Sequence, residues 1–209
     1  MKEYLFIDKE DAYNKLIMSL PIDILKSNET VVLATSKEGL FFAENIAKEL
    51  ECKRDILFSE PIYSDINPTL VIARVGETEE IVMANALIEA FDIPKDYIYH
   101  KAQQRYKKDI LEYVNKYRNG LSLDNLNNKF VLLVDGAIET GLTMMTAIKT
   151  VIALGAKNVF VAVPILDNII YKKLINICDD LFCPYMIDDY ISIEYYYKDL
   201  KNSINLKGE

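Results

Sequence analysis

Residues 129–143 read KFVLLVDGAIETGLT, and this stretch decides the fold class. Its beginning, 129–134, carries a run of apolar residues typical of a strand that is buried on both faces of a sheet. A turn with two glycines and a threonine follows, and residues 143–154 then place apolar side chains at helical spacing until Gly155. A buried strand that leads through such a turn into a helix is typical of a parallel α/β sheet.

The same alternation recurs on both sides of this stretch. Buried strands are predicted at 30–35 and 158–163, a helix at 39–50, a strand pair at 70–75 and 80–83, a further helix at 168–178 and a short strand at 181–187. Strand–helix–strand units of this kind predict a parallel sheet with helices on both faces.

A long charged helix is predicted over residues 94–120, where Asn119 and Gly120 would end it. It lies between two of the buried strands, so it reads as an insertion into the α/β unit. A chain of 209 residues is the size of one domain, and we expect a single domain over residues 1–209.

The charge and the termini exclude several classes of protein. The chain has 24 Lys and Arg against 32 Asp and Glu, a net charge of -8. Proteins that bind nucleic acid need a basic surface, so no such partner is expected. The longest apolar stretch, 159–166, is far short of the roughly 20 residues of a membrane span. The start, MKEYLFIDKED, has acids where a signal peptide is apolar, so we expect a cytoplasmic protein.

Cysteines and histidine offer little catalytic chemistry. Cys52, Cys178 and Cys183 are odd in number, and we expect free thiols. His100 is the single histidine, in a polar helical stretch, where a solvated surface side chain is expected. A structural zinc site is therefore not predicted, and neither is a nucleophile–histidine pair.

The turn after residue 134 is a candidate anion site. Gly136, Gly141, Thr140 and Thr143 would supply backbone N–H groups and hydroxyls at the start of a helix, whose dipole favours an anion. An ordinary strand-to-helix turn is the alternative. The glycine spacing imitates a P-loop, but Leu142 stands where that loop needs its lysine, which argues against a P-loop nucleotidase.

Residues 134–143 resemble the phosphoribosyl-pyrophosphate motif of the type I phosphoribosyltransferases, in which a strand leads through two acids into a T-G-x-T loop. The similarity covers most of the chain and is greatest to uncharacterised bacterial members of the family. The other matching segments are 35–39, 67–72, 155–164 and 197–199.

The resemblance implies a parallel sheet flanked by helices, a helical insertion at about 94–120, and a small C-terminal hood formed by about 181–209 with the N-terminus. It also implies transfer of a phosphoribosyl group from phosphoribosyl pyrophosphate to a nitrogen nucleophile such as a nucleobase. Mg²⁺ would be bridged by the substrate and not held in a dedicated protein site. The implied partners are phosphoribosyl pyrophosphate and a small-molecule acceptor, with a homodimer as an option.

Two loops and one acid would form the implied site. Asp135 would bind a ribose hydroxyl, Lys37 would be the cation of the pyrophosphate loop, and Gly39 would allow close backbone approach. The 5-phosphate loop would comprise Ile138, Glu139, Thr140, Gly141, Leu142 and Thr143, and the pyrophosphate loop Thr35, Ser36, Lys37, Glu38 and Gly39.

The sequence departs from the family at three places. Gly136 stands where the second acid is expected, which would cost one charged hydrogen bond. Glu60 and Pro61 replace an Arg-Lys pair, and an acid there would repel pyrophosphate, although Arg74 could restore the charge. Glu139 replaces a small residue and could act as a general base, or could point into solvent.

An aromatic cluster near the C-terminus has two interpretations. Tyr190, Tyr195, Tyr196 and Tyr197 could stack on a planar base, or could pack in the core or an interface. The departures leave two functions open, which are phosphoribosyl transfer and a catalytically degenerate protein of the same fold with a binding or regulatory role.

Overall fold

Residues 4–200 are described by a computed structural model, and strand β6 (Phe130–Val134) lies at the centre of its main sheet. This strand is parallel to β1 (Thr30–Ala34) on one side and to β7 (Asn158–Ala162) on the other. The outer strands of the sheet are β2 (Lys53–Ile56) and β9 (Asp180–Phe182), giving the order β2-β1-β6-β7-β9. The parallel central position of β6 confirms the α/β class.

Helices cover both faces of this sheet because alternate residues of β6 point to opposite sides. Val131 and Leu133 pack against α7 (Leu142–Ala153) in one core, and Leu132 and Val134 belong to the other core with α3 (Gly39–Leu50). The remaining helices beside the main sheet are α1 (Lys9–Ile17), α2 (Ile22–Lys26) and α8 (Asn168–Leu174).

A second, antiparallel sheet follows β2 along the chain. Its strands are β3 (Ser59–Tyr63), β4 (Val71–Gly76) and β5 (Ile81–Met83), in that order, and helix α4 (Asn85–Ala90) follows. The predicted strand pair is confirmed as β4 and β5, whereas the sequence did not reveal β3.

The helical insertion packs on this antiparallel sheet. It comprises α5 (Lys95–Arg105), a π-helical turn (Tyr106–Ile110) and α6 (Leu111–Arg118), and we call residues 95–118 the arm. Asn119 closes α6 in the left-handed conformation, with φ of 51°, and the Gly120 N–H donates to the Val114 carbonyl. The predicted end of this helix is confirmed.

The strand predicted at 181–187 is wrong, because the chain forms two short strands there. After β9, strand β10 (Tyr185–Ile187) leaves the main sheet and pairs with β8 (Ile165–Asp167). Pro164 lies between β7 and β8, and Pro184 lies at the equivalent position between their partners β9 and β10. Neither proline can donate a ladder hydrogen bond. The two segments of the chain that form β8 and β10 therefore leave the main sheet together.

The two ends of the described chain meet above the sheet. Phe6 bridges Tyr197, and its N–H donates to the Tyr196 carbonyl at 3.0 Å. A short helix, α9 (Ile193–Tyr196), lies in this C-terminal part. The predicted hood began at about residue 181, but residues 181–187 belong to β9, β10 and the turn between them, so we call residues 188–200 the hood. Positions 201–209 of the predicted hood lie outside the described residues. Within residues 4–200, no helix is long and apolar enough to cross a membrane.

Candidate functional site

Two loops lie side by side at the carboxyl ends of β1 and β6. Ala34 pairs with Val134 in the parallel register, so the segments 35–39 and 135–141 leave the sheet next to each other. A Cβ on Gly39 would lie 2.6 Å from the Val134 carbonyl oxygen. Only glycine permits this approach, which brings the start of α3 against the end of β6.

Asp135 joins the two loops. Its Oδ2 accepts a hydrogen bond from Thr35 Oγ1 at 2.6 Å, and its Oδ1 accepts from Ser36 Oγ at 2.5 Å and from the Gly136 N–H at 2.7 Å. A carboxylate offers about four acceptor positions. Three are used within the protein, which leaves one for a ligand.

The environment of Asp135 also changes its acidity. Burial raises the pKa of Asp135 above its ordinary value, and the hydrogen bonds from Ser36, Thr35 and Gly136 act in the opposite direction. The charge of Glu38 adds to the rise in the Asp135 pKa. The two carboxylates therefore lie close enough to affect each other.

The second loop is held at two points before α7 begins. Ile138 is buried and bridges Leu166 of β8, and its N–H donates to the Ile165 carbonyl. Gly141 has a φ of 78° and precedes the first residue of α7. Between these points Glu139 and Thr140 are exposed. The first N–H groups of a helix have no partner within it, so this loop presents donors beside Asp135.

A cleft of about 630 Å³ opens beside these loops. The charged residues that line it, in the described part of the chain, are Arg74 and the four acids Glu38, Asp135, Glu139 and Glu194. The lining residues are Ser36, Glu38, Thr69, Leu70, Val71, Arg74, Leu87, Asp135, Ala137 to Met144, Tyr190, Ser192, Ile193 and Glu194. The cleft therefore combines a helix N-terminus with an excess of acids.

Arg74 reaches this cleft from β4. Its Nη1 donates to the carbonyl oxygen and to the hydroxyl of Ser59, both at 3.0 Å, while its buried Nε has no hydrogen-bond partner. Burial lowers the pKa of Arg74, and the charge of Glu60 acts to raise it. Arginine keeps its charge at neutral pH even so, because its ordinary pKa is above 12.

Glu60 and Pro61 do not line the cleft. Glu60 lies in β3 and accepts a hydrogen bond from the hydroxyl of Tyr113 in the arm. Burial raises the pKa of Glu60, as does the neighbouring charge of Asp109, while Arg105 lowers it. The acid at this position therefore faces the arm.

Gly136 lies against the neighbouring loop. A Cβ at this position would be 3.3 Å from the Cβ of Glu38 and 3.5 Å from the Phe42 ring. The space that a larger residue would fill is thus occupied by Glu38, whose side chain also lines the cleft.

The aromatic cluster divides between the cleft and the core. Tyr190 lines the cleft, and its ring lies 5.4 Å from that of Tyr196. Tyr196 and Tyr197 are buried, and the Tyr197 ring packs 4.7 Å from Phe6. Tyr195 is exposed and packs on Tyr196. Of the four tyrosines, Tyr190 is the one with a surface in the cleft.

Most of the predicted site residues come together. The segment 138–143 lines the cleft with Asp135, Ser36, Glu38 and Arg74. Thr35, Lys37 and Gly39 do not line it. Thr35 is buried and donates a hydrogen bond to Asp135, Lys37 is exposed, and Gly39 packs on β6.

Sequence reasoning missed the opposite wall of the cleft. Thr69, Leu87, Ser192 and Glu194 line it, from the loop before β4, from α4 and from the hood. The resemblance over 67–72 pointed to the first of these segments but assigned no role to its residues. The other three lie in short or irregular segments that carry no motif.

Residues 4–200 contain no cluster of three or more His, Cys, Asp or Glu side chains that could hold a metal ion by themselves. The three cysteines are free, as expected, and burial raises the pKa of Cys178 to about 11 and of Cys183 to about 12. These thiols are therefore poor nucleophiles at neutral pH.

Comparison with known proteins gives one family and several similar folds. The family model "Phosphoribosyl transferase domain" matches residues 7–199. Two curated proteins from Mycobacterium tuberculosis strains, each named "Putative phosphoribosyl transferase", are 27% identical over 179 residues. The match spans 86% of this chain but only 40% of the length of those relatives.

Solved structures share the fold. The protein TT1426 of Thermus thermophilus has a TM-score of 0.73 at 24% identity, over 93% of this chain and 90% of that one. A hypoxanthine phosphoribosyltransferase of Staphylococcus aureus has a TM-score of 0.51 at 12% identity, over 90% and 79% of the two chains. At these identities the likeness shows the architecture alone.

Proposed function

The chain belongs to the phosphoribosyl transferase domain family, and on that basis we propose that it transfers a phosphoribosyl group from phosphoribosyl pyrophosphate to a nitrogen nucleophile in the cytoplasm. The observation that carries the proposal is the contact between the two loops. Asp135, bound by Thr35 and Ser36, lies in one cleft with the 138–143 segment that begins α7.

The 5-phosphate binds at the start of α7 in this proposal. The N–H groups of residues 139–143 and the hydroxyls of Thr140 and Thr143 are its donors, and the helix dipole stabilises its charge. Thr140 is exposed in the cleft, so its hydroxyl is available to a ligand.

The ribose lies next to Asp135. The one acceptor position that the protein leaves open on this carboxylate takes a single ribose hydroxyl. Gly136 offers no second carboxylate, but the side chain of Glu38 lies against it and faces the same cleft.

The pyrophosphate lies toward Arg74. This guanidinium is the one cationic side chain among the described residues that line the cleft, and its placement supports the role that the sequence could only suggest. Lys37 is exposed and does not line the cleft, so we assign the leading electrostatic role to Arg74.

The donor set fits a magnesium ion that is shared with the substrate. Mg²⁺ in proteins is commonly bound through one or two carboxylates with substrate phosphates and water, which matches the isolated acids of this cleft. Glu38 would hold the ion, and Asp135 would hold the ribose. When bound, the ion would offset the negative charge that collects on the leaving pyrophosphate.

The transfer breaks the bond from C1 of the ribose to the pyrophosphate oxygen and forms a bond from C1 to the acceptor nitrogen. The pyrophosphate leaves with the bonding electron pair, and the acceptor loses its N–H proton. Glu139 belongs to the phosphate loop, its side chain is exposed in the cleft, and it is the base that takes this proton. A planar acceptor, such as a nucleobase, would lie against Tyr190 of the hood.

One observation favours a second function, in which the protein binds phosphoribosyl compounds without turnover. The cleft has four carboxylates and one guanidinium in its described lining, which is unfavourable for a polyanion unless a cation is bound. Screening nucleobases for pyrophosphate release, together with calorimetry on phosphoribosyl pyrophosphate alone, separates the two functions. Binding with release supports the enzyme, and binding without release supports the regulator.

A further inference from the structure

A second cavity, of about 500 Å³, lies between β3 and the arm. Among the described residues it shares no lining residue with the cleft. We call it the arm groove and define it by Tyr63, Tyr97, Lys101, Arg105, Lys108 and Asp109. Phosphoribosyl transfer, as proposed above, makes no use of it.

The arm groove is a cationic site on an acidic protein. Lys101, Arg105 and Lys108 all line it, against the single acid Asp109, although the chain as a whole carries a net charge of -8. Cations at spacings of four and three residues lie on one side of a helix. The arm groove thus carries a local cluster of positive charge, opposite in sign to the net charge of the chain.

Part of this charge has no partner within the described chain. Arg105 Nη1 is paired with Asp109 Oδ2 at 2.8 Å, and Glu60 adds a further negative charge near Arg105. No described ion pair involves Lys101 or Lys108; Lys108 has no described partner, and Lys101 Nζ contacts only the Tyr97 ring, 5.7 Å from its centroid. These two ammonium groups remain available to an anion.

The arm groove is held in shape from both sides. The hydroxyl of Tyr97 donates to the Tyr63 carbonyl at 3.1 Å, which ties α5 to the end of β3. The rare π-helical turn Tyr106–Ile110 follows directly on Arg105, and such turns often occur at functional sites. The walls also include Ile62 and Pro68, so apolar surface lies beside the cations.

We propose that the arm groove binds a phosphorylated small molecule. The phosphate lies among Lys101, Arg105 and Lys108, because guanidinium and ammonium groups are the side-chain groups that proteins commonly use to bind a phosphate. The rest of the molecule lies against Tyr97 and Pro68. A cavity of this size suits a nucleotide-sized ligand.

Calorimetric titration of the full chain with inorganic pyrophosphate, without divalent metal, tests the proposal. The double variant Lys101→Gln, Lys108→Gln should weaken this binding roughly tenfold or more, because two charged hydrogen bonds are lost. The matched double variant Lys95→Gln, Lys107→Gln changes two exposed lysines of the same helical arm that do not line the groove, and it should bind as the wild type does.

The variant Arg74→Ala separates this site from the cleft, because Arg74 is the one cationic side chain among the described residues that line the cleft. It should leave the binding that depends on Lys101 and Lys108 unchanged, whether or not the cleft also binds pyrophosphate. The proposal is overturned if the groove variant binds as tightly as the wild type, or if the matched variant loses as much affinity. It is also overturned if the chain binds vesicles containing phosphatidylserine, in a manner that depends on Lys101 and Lys108, but does not bind pyrophosphate.

Discussion

Ser36 Oγ donates to Asp135 Oδ1 at 2.5 Å and accepts from the Gly39 N–H at 3.0 Å. One hydroxyl thereby connects the carboxylate at the end of β6 to the start of α3. The residues are separated by 99 positions in the chain, and the parallel pairing of β1 with β6 makes them neighbours.

Replacing Ser36 by alanine should destabilise the protein and the cleft together. The loss of a hydrogen bond to a buried carboxylate costs about 1.5–3 kcal/mol, and we expect that decrease in the free energy of unfolding in a urea titration. Ser27→Ala is the control, since the Ser27 hydroxyl is exposed and bonds only within its own turn. A change of less than about 0.5 kcal/mol in Ser36→Ala would show that this bond does not hold the loops together.

Thr140→Val should weaken the binding of ribose 5-phosphate by about 1–3 kcal/mol, because a phosphate oxygen loses its hydroxyl partner. Calorimetry measures the change, and ribose without its phosphate serves as the control ligand, whose affinity should not alter. Equal affinity of the variant and the wild type for ribose 5-phosphate would remove the 138–143 loop from the phosphate site.

Arg74→Ala should weaken the binding of pyrophosphate to the cleft more than the binding of ribose 5-phosphate, since the guanidinium faces the leaving group in our proposal. Arg74→Lys keeps the positive charge and should recover part of the affinity for pyrophosphate. Competition calorimetry with the two ligands measures the difference. If the affinities for both ligands fall equally in Arg74→Ala, Arg74 supports the cleft as a whole and does not distinguish pyrophosphate from ribose 5-phosphate.

Glu139→Gln should lower kcat and leave the affinity for phosphoribosyl pyrophosphate unchanged or improved. The substitution removes the proton acceptor and also removes a negative charge near the 5-phosphate. Steady-state kinetics separate the two effects, with Glu89→Gln on the exposed surface of α4 as the isosteric control. Full turnover in Glu139→Gln would make Glu139 a solvated loop residue.

The central fold could be predicted because its signals are local. The apolar runs that became β1, β6 and β7 are too continuous for a solvent-exposed strand. Gly141 and Gly155, which flank α7 with positive φ, mark turns by their own chemistry. The proposed phosphate loop, residues 138–143, is likewise one continuous segment, so its residues stay together in any fold that places β6 before α7.

Other features depend on contacts between distant segments and could not be read locally. The direction of the Arg74 side chain depends on how β3 pairs with β4. Strand β3 was not predicted because it contains Pro61, and a proline argues against a strand. The same pairing turns Glu60 toward Tyr113 of the arm. The split between β9 and β10 follows from two prolines that meet only in the folded sheet, Pro164 and Pro184.

Pyrophosphate release is the measurement that tests phosphoribosyl transfer most directly. The full chain would be incubated with phosphoribosyl pyrophosphate, Mg²⁺ and a panel of nucleobases, beside the variant Asp135→Asn. We expect release with at least one base, and a rate about ten- to a hundredfold lower in Asp135→Asn, because the ribose hydroxyl loses a charged partner. Release that is equal in the variant, or no release from a wild type that binds the substrate, would contradict phosphoribosyl transfer by this cleft.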